Sequence, residues 1–203
     1  SGRKTALLLA ALHDPVAYTP IEISRAALLS SIDHLAPALP EVEMLPVCAD
    51  FTRPVAVPMP EREPARRLLF FPGSTLGNFE GEDAVALLRA MRQTMGRDGL
   101  ALVGIDLHKD PALIEAAYND AQGVTAAFTL NLLARLNREI GSDFDLDGFH
   151  HRACYSTARL RIETDLVSRW AQDVHLDGRT FHFAADEPIR VEYSHKYTDD
   201  SFE

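Results

Sequence analysis

Cysteine is scarce in this chain: Cys48 and Cys154 are the only two in 203 residues, and they form neither a CxxC nor a Cys/His zinc spacing. So few thiols exclude a disulfide-stapled scaffold and suit a reducing compartment. Positive charge is short as well, with twenty Lys and Arg against thirty Asp and Glu for a net charge of −10. That balance repels phosphate backbones and anionic lipid at long range, so neither nucleic acid nor a membrane surface is an expected partner. The longest unbroken apolar stretch near the start, Ala6 to Leu12, falls far below the roughly 20 residues needed to cross a bilayer. It also lacks a small-residue cleavage site, which argues against a secretory signal and leaves the cytoplasm as the expected location. What remains is a globular composition, 46% hydrophobic and 25% charged. A chain of this length buries roughly 70% of its unfolded surface and can build a core without staples. A monomer is the expectation.

Along the chain, helical and extended patterns alternate. Thr5 to Leu12 is helix-compatible, Tyr18 to Ile23 is extended, and Pro15 and Pro20 break helices around them. Ser24 is placed to cap a helix over Arg25 to Leu35, whose Ala27, Leu28, Ser31, Ile32 and Leu35 recur at helical spacing. Glu43 to Val47 is extended, and Arg66 to Phe71 (RRLLFF) reads as a buried strand. A helix over Glu82 to Met95 carries an apolar stripe of Val85, Leu87, Leu88 and Met91, and Leu100 to Leu107 (LALVGIDL) reads as a further buried strand. Strands alternating with helices predict an α/β fold with a parallel sheet. After Asp110-Pro111 the texture changes to a long helical region, Ala112 to Arg138, and an acidic turn, Ser142 to Asp147. Antiparallel character begins beyond Cys154, with Leu160 to Ser168 and Asp173 to Phe183 folded about Asp177-Gly178. Residues 109–196 are therefore expected to form a second, substrate-facing lobe.

In open α/β sheets, ligands bind beyond the carboxyl ends of the strands. Four such ends carry suitable groups. Glu22 can accept from both hydroxyls of a ribose, Asp50-Phe51 can hold an adenine ring, Gly73-Ser74-Thr75-Leu76-Gly77-Asn78 lets a ligand approach the backbone, and Asp106 ends a fourth strand. Each also has a plain reading as a solvated loop charge or a capped turn. The glycine loop is no triphosphate-binding loop, since no Gly-Lys-Ser/Thr follows. A dinucleotide fingerprint would fall about 20 residues before Glu22, at or before Ser1, with Ser1-Gly2 as its tail. The eight histidines lack a metal-binding spacing, His150-His151 being adjacent rather than co-facial, so no metal is expected and surface or loop positions are. Cys48 reads as a small buried hydrophobe. Tyr193 and Lys196 stand three apart, where short-chain dehydrogenases need four, so a nicotinamide dehydrogenase lacks its catalytic set. Tyr118-Asn119-Asp120 with Gly123 is unusually polar for the interior of a helix. Glu192 and Ser194 fall on one face of a strand, where a carboxylate and a hydroxyl can pair with both nitrogens of an imidazole, as could any exposed strand.

The blocks FFPGSTLGNF, GIDLHKDP, AAYNDAQGVTAAF, NLLARLNREIGSDFDL and EYSHKY resemble the histidine-specific methyltransferases of ergothioneine biosynthesis. These use S-adenosylmethionine to trimethylate the α-amino group of L-histidine, giving hercynine. The resemblance covers essentially the whole chain. It implies a Rossmann-like methyltransferase core with an inserted α+β substrate-binding domain: core over 1–108, substrate domain over 109–196, and a return to the core over 197–203. It implies cofactor contacts from Lys4, Glu22 (where the family has aspartate), Asp50, Phe51, Gly73 and Ser74. It further implies that Asn78 and Tyr118 converge on the carboxylate and amino end of L-histidine, and that Glu192 and Ser194 read its imidazole. The general base stays unassigned. The family's cofactor-loop glycines would precede Ser1, and its last core strands would follow Glu203, so the chain reads as truncated at both ends. A methyltransferase for another aromatic amino acid or amine, and a non-catalytic cofactor-binding fragment, are the alternatives.

Overall fold

A computed structural model describes residues 2–202; Ser1, half of the expected loop tail, and Glu203 lie outside the described residues. Internal contacts divide the chain into two compact units, Ser1–Gly73 with Glu80–Gly104, and Ser74–Phe79 with Ile105–Glu203.

The first unit is α/β with parallel strand pairing throughout. Helix α1 (Arg3–Ala11) leads to β1 (Ala17–Tyr18) and β2 (Ile21–Glu22), then α2 (Arg25–Leu35), β3 (Glu43–Met44) and β4 (Val47–Cys48). Pairs β1–β3 and β2–β4 belong to one parallel run: the amides of Glu43, Leu45, Val47 and Ala49 donate to the carbonyls of Val16, Tyr18, Pro20 and Glu22. Pro20 and Pro46, which carry no N–H, split that run into short strands. Ser24 caps α2 as expected, its Oγ accepting from the Ala27 amide at 3.3 Å. Strand β5 (Leu68–Phe71) connects through α3 (Gly81–Met95) to its parallel partner β6 (Leu100–Val103). Three expectations need correcting here. The buried stripe of α3 is Leu87, Ala90 and Met91, while Val85 and Leu88 are exposed. The strand expected to reach Leu107 ends at Val103, and Cys48 is exposed rather than buried.

The second unit is α+β. Helix α4 (Pro111–Tyr118) and helix α5 (Val124–Ile140) pack on a three-stranded antiparallel sheet ordered β11 (Pro188–His195), β8 (Arg161–Ser168), β7 (Phe149–Ser156). Strands β9 (Gln172–Leu176) and β10 (Arg179–Phe183) form a hairpin, and a short helix α6 (Asp199–Phe202) follows β11. The hairpin turns at Asp177-Gly178 as expected, with φ of 51° and 70°, the pair of positive values that a two-residue type I′ turn demands. The single long helix expected over 112–138 is two helices. Gly123 sits at φ +68°, and the Asp120 carboxylate accepts from the Val124 and Thr125 amides at 2.8 Å each. Those bonds hold the Asp120 carboxyl down at about 2 and account for the polar cluster at this point. His150 and His151 were expected on loops or the surface; they lie in β7, half-buried, with His151 Nε2 bonded to the Tyr118 carbonyl at 2.9 Å.

One irregularity governs the sheet. Along β11 the register runs Ile189 opposite Leu166 and Arg190 opposite Asp165, then resumes with Glu192 opposite Thr164 and Ser194 opposite Ile162. Val191 is thus an inserted residue, a β-bulge that reverses the in–out alternation. Before it, Ile189 faces the core of Leu133, Phe149 and Leu166 under α5; after it, Glu192 and Ser194 face the same side. Arg190 and Tyr193 share the opposite face with Glu163, whose carboxyl is held at about 2 by Arg190 and Arg161.

Leu166 is fully buried between Leu133 and Phe149. Leu166→Ala should destabilise the second unit by about 3 kcal/mol, the usual cost of a leucine-sized cavity. Urea melts followed by circular dichroism would measure it, and a loss below about 1 kcal/mol would mean that the layer closes around the deletion.

Candidate functional site

In the first unit, the carboxyl ends of three strands bring most of the expected cofactor residues forward. Glu22 ends β2 and is registered opposite Cys48 in β4, so Asp50 follows immediately on the neighbouring strand. The Glu22 carboxylate accepts from the Ser24 amide at 2.9 Å, which leaves its other oxygen for a ligand hydroxyl. Asp50 accepts from the Thr52 hydroxyl and amide at 2.7 and 2.9 Å, and these bonds hold its carboxyl below the ordinary range. Phe51 packs against Phe71 at the end of β5, ring centroids 5.6 Å apart. Beyond Phe71 the backbone turns at Gly73 with φ +77° and meets Gly104, where an added Cβ would stand 2.4 Å from the Gly73 carbonyl oxygen. This bare-backbone floor belongs to an open pocket of about 370 Å³ bordered also by Lys4, Phe70 and Leu102. The pocket unites Lys4 with Gly73; Glu22, Asp50, Phe51 and Ser74 are not among its walls. The structure thus sets Glu22 and Asp50 at the ends of paired strands and Phe51 against Phe71, and brings Lys4 and Gly73 to one pocket. Gly104 escaped the sequence reading because LALVGIDL reads as continuous strand.

The second unit assembles the expected substrate residues more tightly. The turn Thr75–Asn78 packs on β11, and Gly77 lies so close that an added Cβ would meet the His195 carbonyl oxygen at 2.8 Å. This approach brings the Asn78 side chain up to the Glu192 carboxylate. Two residues along the same face, Ser194 Oγ accepts from Tyr118 Oη at 2.7 Å. Four residues spread over more than a hundred positions therefore meet on one strand face. The single Tyr118 proton points at Ser194. Thr164, registered opposite Glu192, is buried, and its hydroxyl has no hydrogen-bond partner.

Lys196 was considered in the sequence only as a partner for Tyr193, and the structure separates those two: Tyr193 lies under Arg161 and Arg190, while Lys196 joins Ser194. Its Nζ donates to Ser194 Oγ at 2.8 Å and Tyr118 Oη at 3.0 Å, and pairs with Asp106 Oδ2 at 3.1 Å. The tail holds it there, since the Tyr197 amide donates to the Asp106 carbonyl and the His108 amide donates to the Tyr197 carbonyl. Burial works against the Asp106 charge, yet Lys109 and Lys196 overcome it and hold that carboxyl below its usual range. The period-two series Glu192, Ser194, Lys196 was the available signal. Among the described residues, no three His, Cys, Asp or Glu side chains are grouped to hold a metal, and no helix is long and apolar enough to cross a membrane.

Burial pushes the Glu192 carboxyl above its ordinary value near 4.5, against the pull of Lys196 and Asn78. A raised value in the folded state means that the fold disfavours the ionised form. The penalty is present above the raised value and is relieved as pH falls below the ordinary one. Glu192→Gln should therefore equal or exceed wild-type stability near pH 7, and the gap should close towards about pH 4. Urea melts at both pH values test this; a glutamine variant weaker at neutral pH would mean that the Lys196 attraction outweighs burial.

Comparison with known proteins now identifies the family. The sequence pattern of the family described as "Histidine-specific methyltransferase, SAM-dependent" matches residues 1–203. A histidine N-alpha-methyltransferase of Mycolicibacterium smegmatis is 36% identical over 203 residues, covering 97% of this chain and 62% of the relative. The protein of the same name from Mycobacterium tuberculosis is 34% identical over the same shares. Ergothioneine biosynthesis protein 1 of Neurospora crassa is 32% identical over 114 residues, 49% of this chain and 13% of that protein. The chain thus spans about three fifths of the length of the mycobacterial relatives. Matched from its first residue to its last, this chain belongs to the histidine-specific, S-adenosylmethionine-dependent methyltransferase family.

Proposed function

We propose that this chain carries the cofactor and substrate residues of an N-methyltransferase that trimethylates the α-amino group of L-histidine to hercynine, a step towards ergothioneine. Residues 1–108 serve as the cofactor-binding core, 109–196 as the substrate-binding domain and 197–203 as the return to the core. The enzyme works as a cytoplasmic monomer. The observation that supports the reading best is the meeting of Asn78, Tyr118, Glu192 and Ser194 on one strand face. A site meant only for packing has no use for a half-buried carboxylate flanked by an amide, two hydroxyls and an ammonium. Family membership supports the same reaction.

Bound S-adenosylmethionine supplies an electrophilic methyl group on a sulfonium. The protein's work is to bring a neutral amine in line with that methyl and to hold it there for three rounds. Glu22 binds the ribose hydroxyls, Asp50 and Phe51 the adenine, Gly73 and Ser74 the loop side of the cofactor, and Lys4 its carboxylate. Asn78 donates its side-chain amide to the histidine carboxylate, and the Tyr118 phenol oxygen addresses the amino end. Glu192 accepts the ring N–H, and Ser194 meets the other ring nitrogen. Anchoring the amino acid at its carboxylate and its ring leaves the amine free to turn as methyl groups accumulate.

Glu22→Ala removes charge-assisted hydrogen bonds of about 1.5 to 3 kcal/mol, so S-adenosylhomocysteine should bind roughly tenfold to a hundredfold more weakly. Isothermal titration of the intact protein measures this, and unchanged binding would remove Glu22 from the ribose site. Glu192→Ala should weaken histidine far more than cofactor and narrow the preference over phenylalanine, because a buried site built for ring hydrogen bonds rejects a ring without them. Competition between the two amino acids decides it: an unaltered ratio means that Glu192 does not read the ring.

A further inference from the structure

The Lys196 side chain is wholly buried, at 0% exposure. Its ammonium has three hydrogens and no lone pair, so it can only donate. Three oxygens surround it: Ser194 Oγ at 2.8 Å, Tyr118 Oη at 3.0 Å and Asp106 Oδ2 at 3.1 Å. Each takes one hydrogen. Asp106 also pairs with Lys109 at 3.1 Å through its other oxygen, which fixes the carboxylate that faces the buried ammonium. Ser194 therefore accepts from Lys196. It accepts from Tyr118 as well, at 2.7 Å, because a phenol is a stronger acid and a better donor than an aliphatic hydroxyl. With both lone pairs of Ser194 Oγ occupied, its own O–H is all that remains to offer a ligand.

We infer that Lys196 is a positioning residue that fixes Ser194 as a hydrogen-bond donor, so that with Glu192 as acceptor the site selects a neutral imidazole over both an imidazolium and a ring lacking a bare nitrogen. The inference rests on the histidine reading above and adds a direction to it. A neutral imidazole carries one N–H and one bare nitrogen, which match an acceptor and a donor two residues apart on a strand. An imidazolium sets a second N–H against the Ser194 hydrogen. A pyrrole ring sets a C–H there. A neutral side chain at position 196 would not impose this direction, because an amide or hydroxyl can turn round and accept.

The test is isothermal titration of the intact protein with L-histidine and with the pyrrolylalanine that keeps the N–H facing Glu192 but has C–H in place of the bare nitrogen. Wild type should prefer histidine. Lys196→Met keeps the volume and leaves Asp106 paired with Lys109; it should weaken histidine about tenfold while the pyrrole analogue changes little, so the preference collapses. In a Ser194→Ala background, adding Lys196→Met should produce no further loss of preference. An independent measurement needs no variant: the nitrogen NMR spectrum of ring-labelled histidine bound to wild type should show one protonated and one bare nitrogen. Two protonated nitrogens would overturn the inference even if Lys196→Met did not fold. Wild-type protein that binds no histidine overturns the histidine reading and this inference together. Histidine bound by wild type, with the preference retained in Lys196→Met or both affinities falling alike, overturns this inference alone.

Discussion

Strand β11 has two incompatible duties, and the bulge at Val191 reconciles them. Up to Ile189 the strand supplies apolar side chains to the layer beneath α5; from Glu192 onwards the same side must carry a carboxylate, a hydroxyl and an ammonium. Strict alternation would place Glu192 on the outer face with Arg190, among guanidinium groups and Glu163. One extra residue changes the parity, so the apolar and polar series share a face and the outward series becomes Arg190 and Tyr193. The cluster of proposed substrate residues depends on this displacement, because it turns Ser194 towards Tyr118 and Glu192 towards Asn78.

Burial then decides how the polar series behaves. A carboxylate and an ammonium withdrawn from water need fixed partners, and these come from distant parts of the chain: Asn78 from a turn held close by Gly77, Tyr118 from the end of α4, and Asp106 from the segment paired with the tail. Glycine at position 77 is a backbone requirement, since the His195 carbonyl occupies the space of a side chain. The Gly73–Gly104 approach makes the same demand in the first unit, where two backbones press together and leave a floor without side chains. In both units, the residues that touch nothing are as necessary as those that donate or accept.

Much of this was legible in the sequence. The Ser24 cap, the Asp177-Gly178 turn, the parallel pairing of the first unit and the strand-end positions of Glu22 and Asp50 follow from local chemistry, and local chemistry is what a sequence records. The change of texture after Asp110-Pro111 was visible too. The break between α4 and α5 was visible as polar residues around Gly123 but was read as an oddity within one helix, because apolar spacing on both sides suggested continuity. Strand β7 was hidden by His150 and His151, polar residues at positions that turn out half-buried. The bulge could not be read at all: an inserted residue leaves no local mark, and only cross-strand register reveals it. Lys196 was weighed only for its spacing to Tyr193, a pairing that the spacing ruled out, whereas alternation with Ser194 is the physical relation.

The selectivity proposed for this site also depends on how far its groups are already committed to one another. Ser194 lies between Lys196 and Tyr118, and Lys196 is paired with Asp106, so neither of them relies on a ligand for its only partner. This reduces the penalty that a mismatched ring incurs, because fewer protein groups are left unpaired when it enters. What discrimination loses in magnitude it gains in direction. A hydroxyl with both lone pairs occupied has a single way to bond, and an ionised carboxylate can only accept. Rings that differ by one proton or one nitrogen are then separated by the orientation of two hydrogen bonds rather than by shape, and for a ring as small as imidazole orientation is the finer measure.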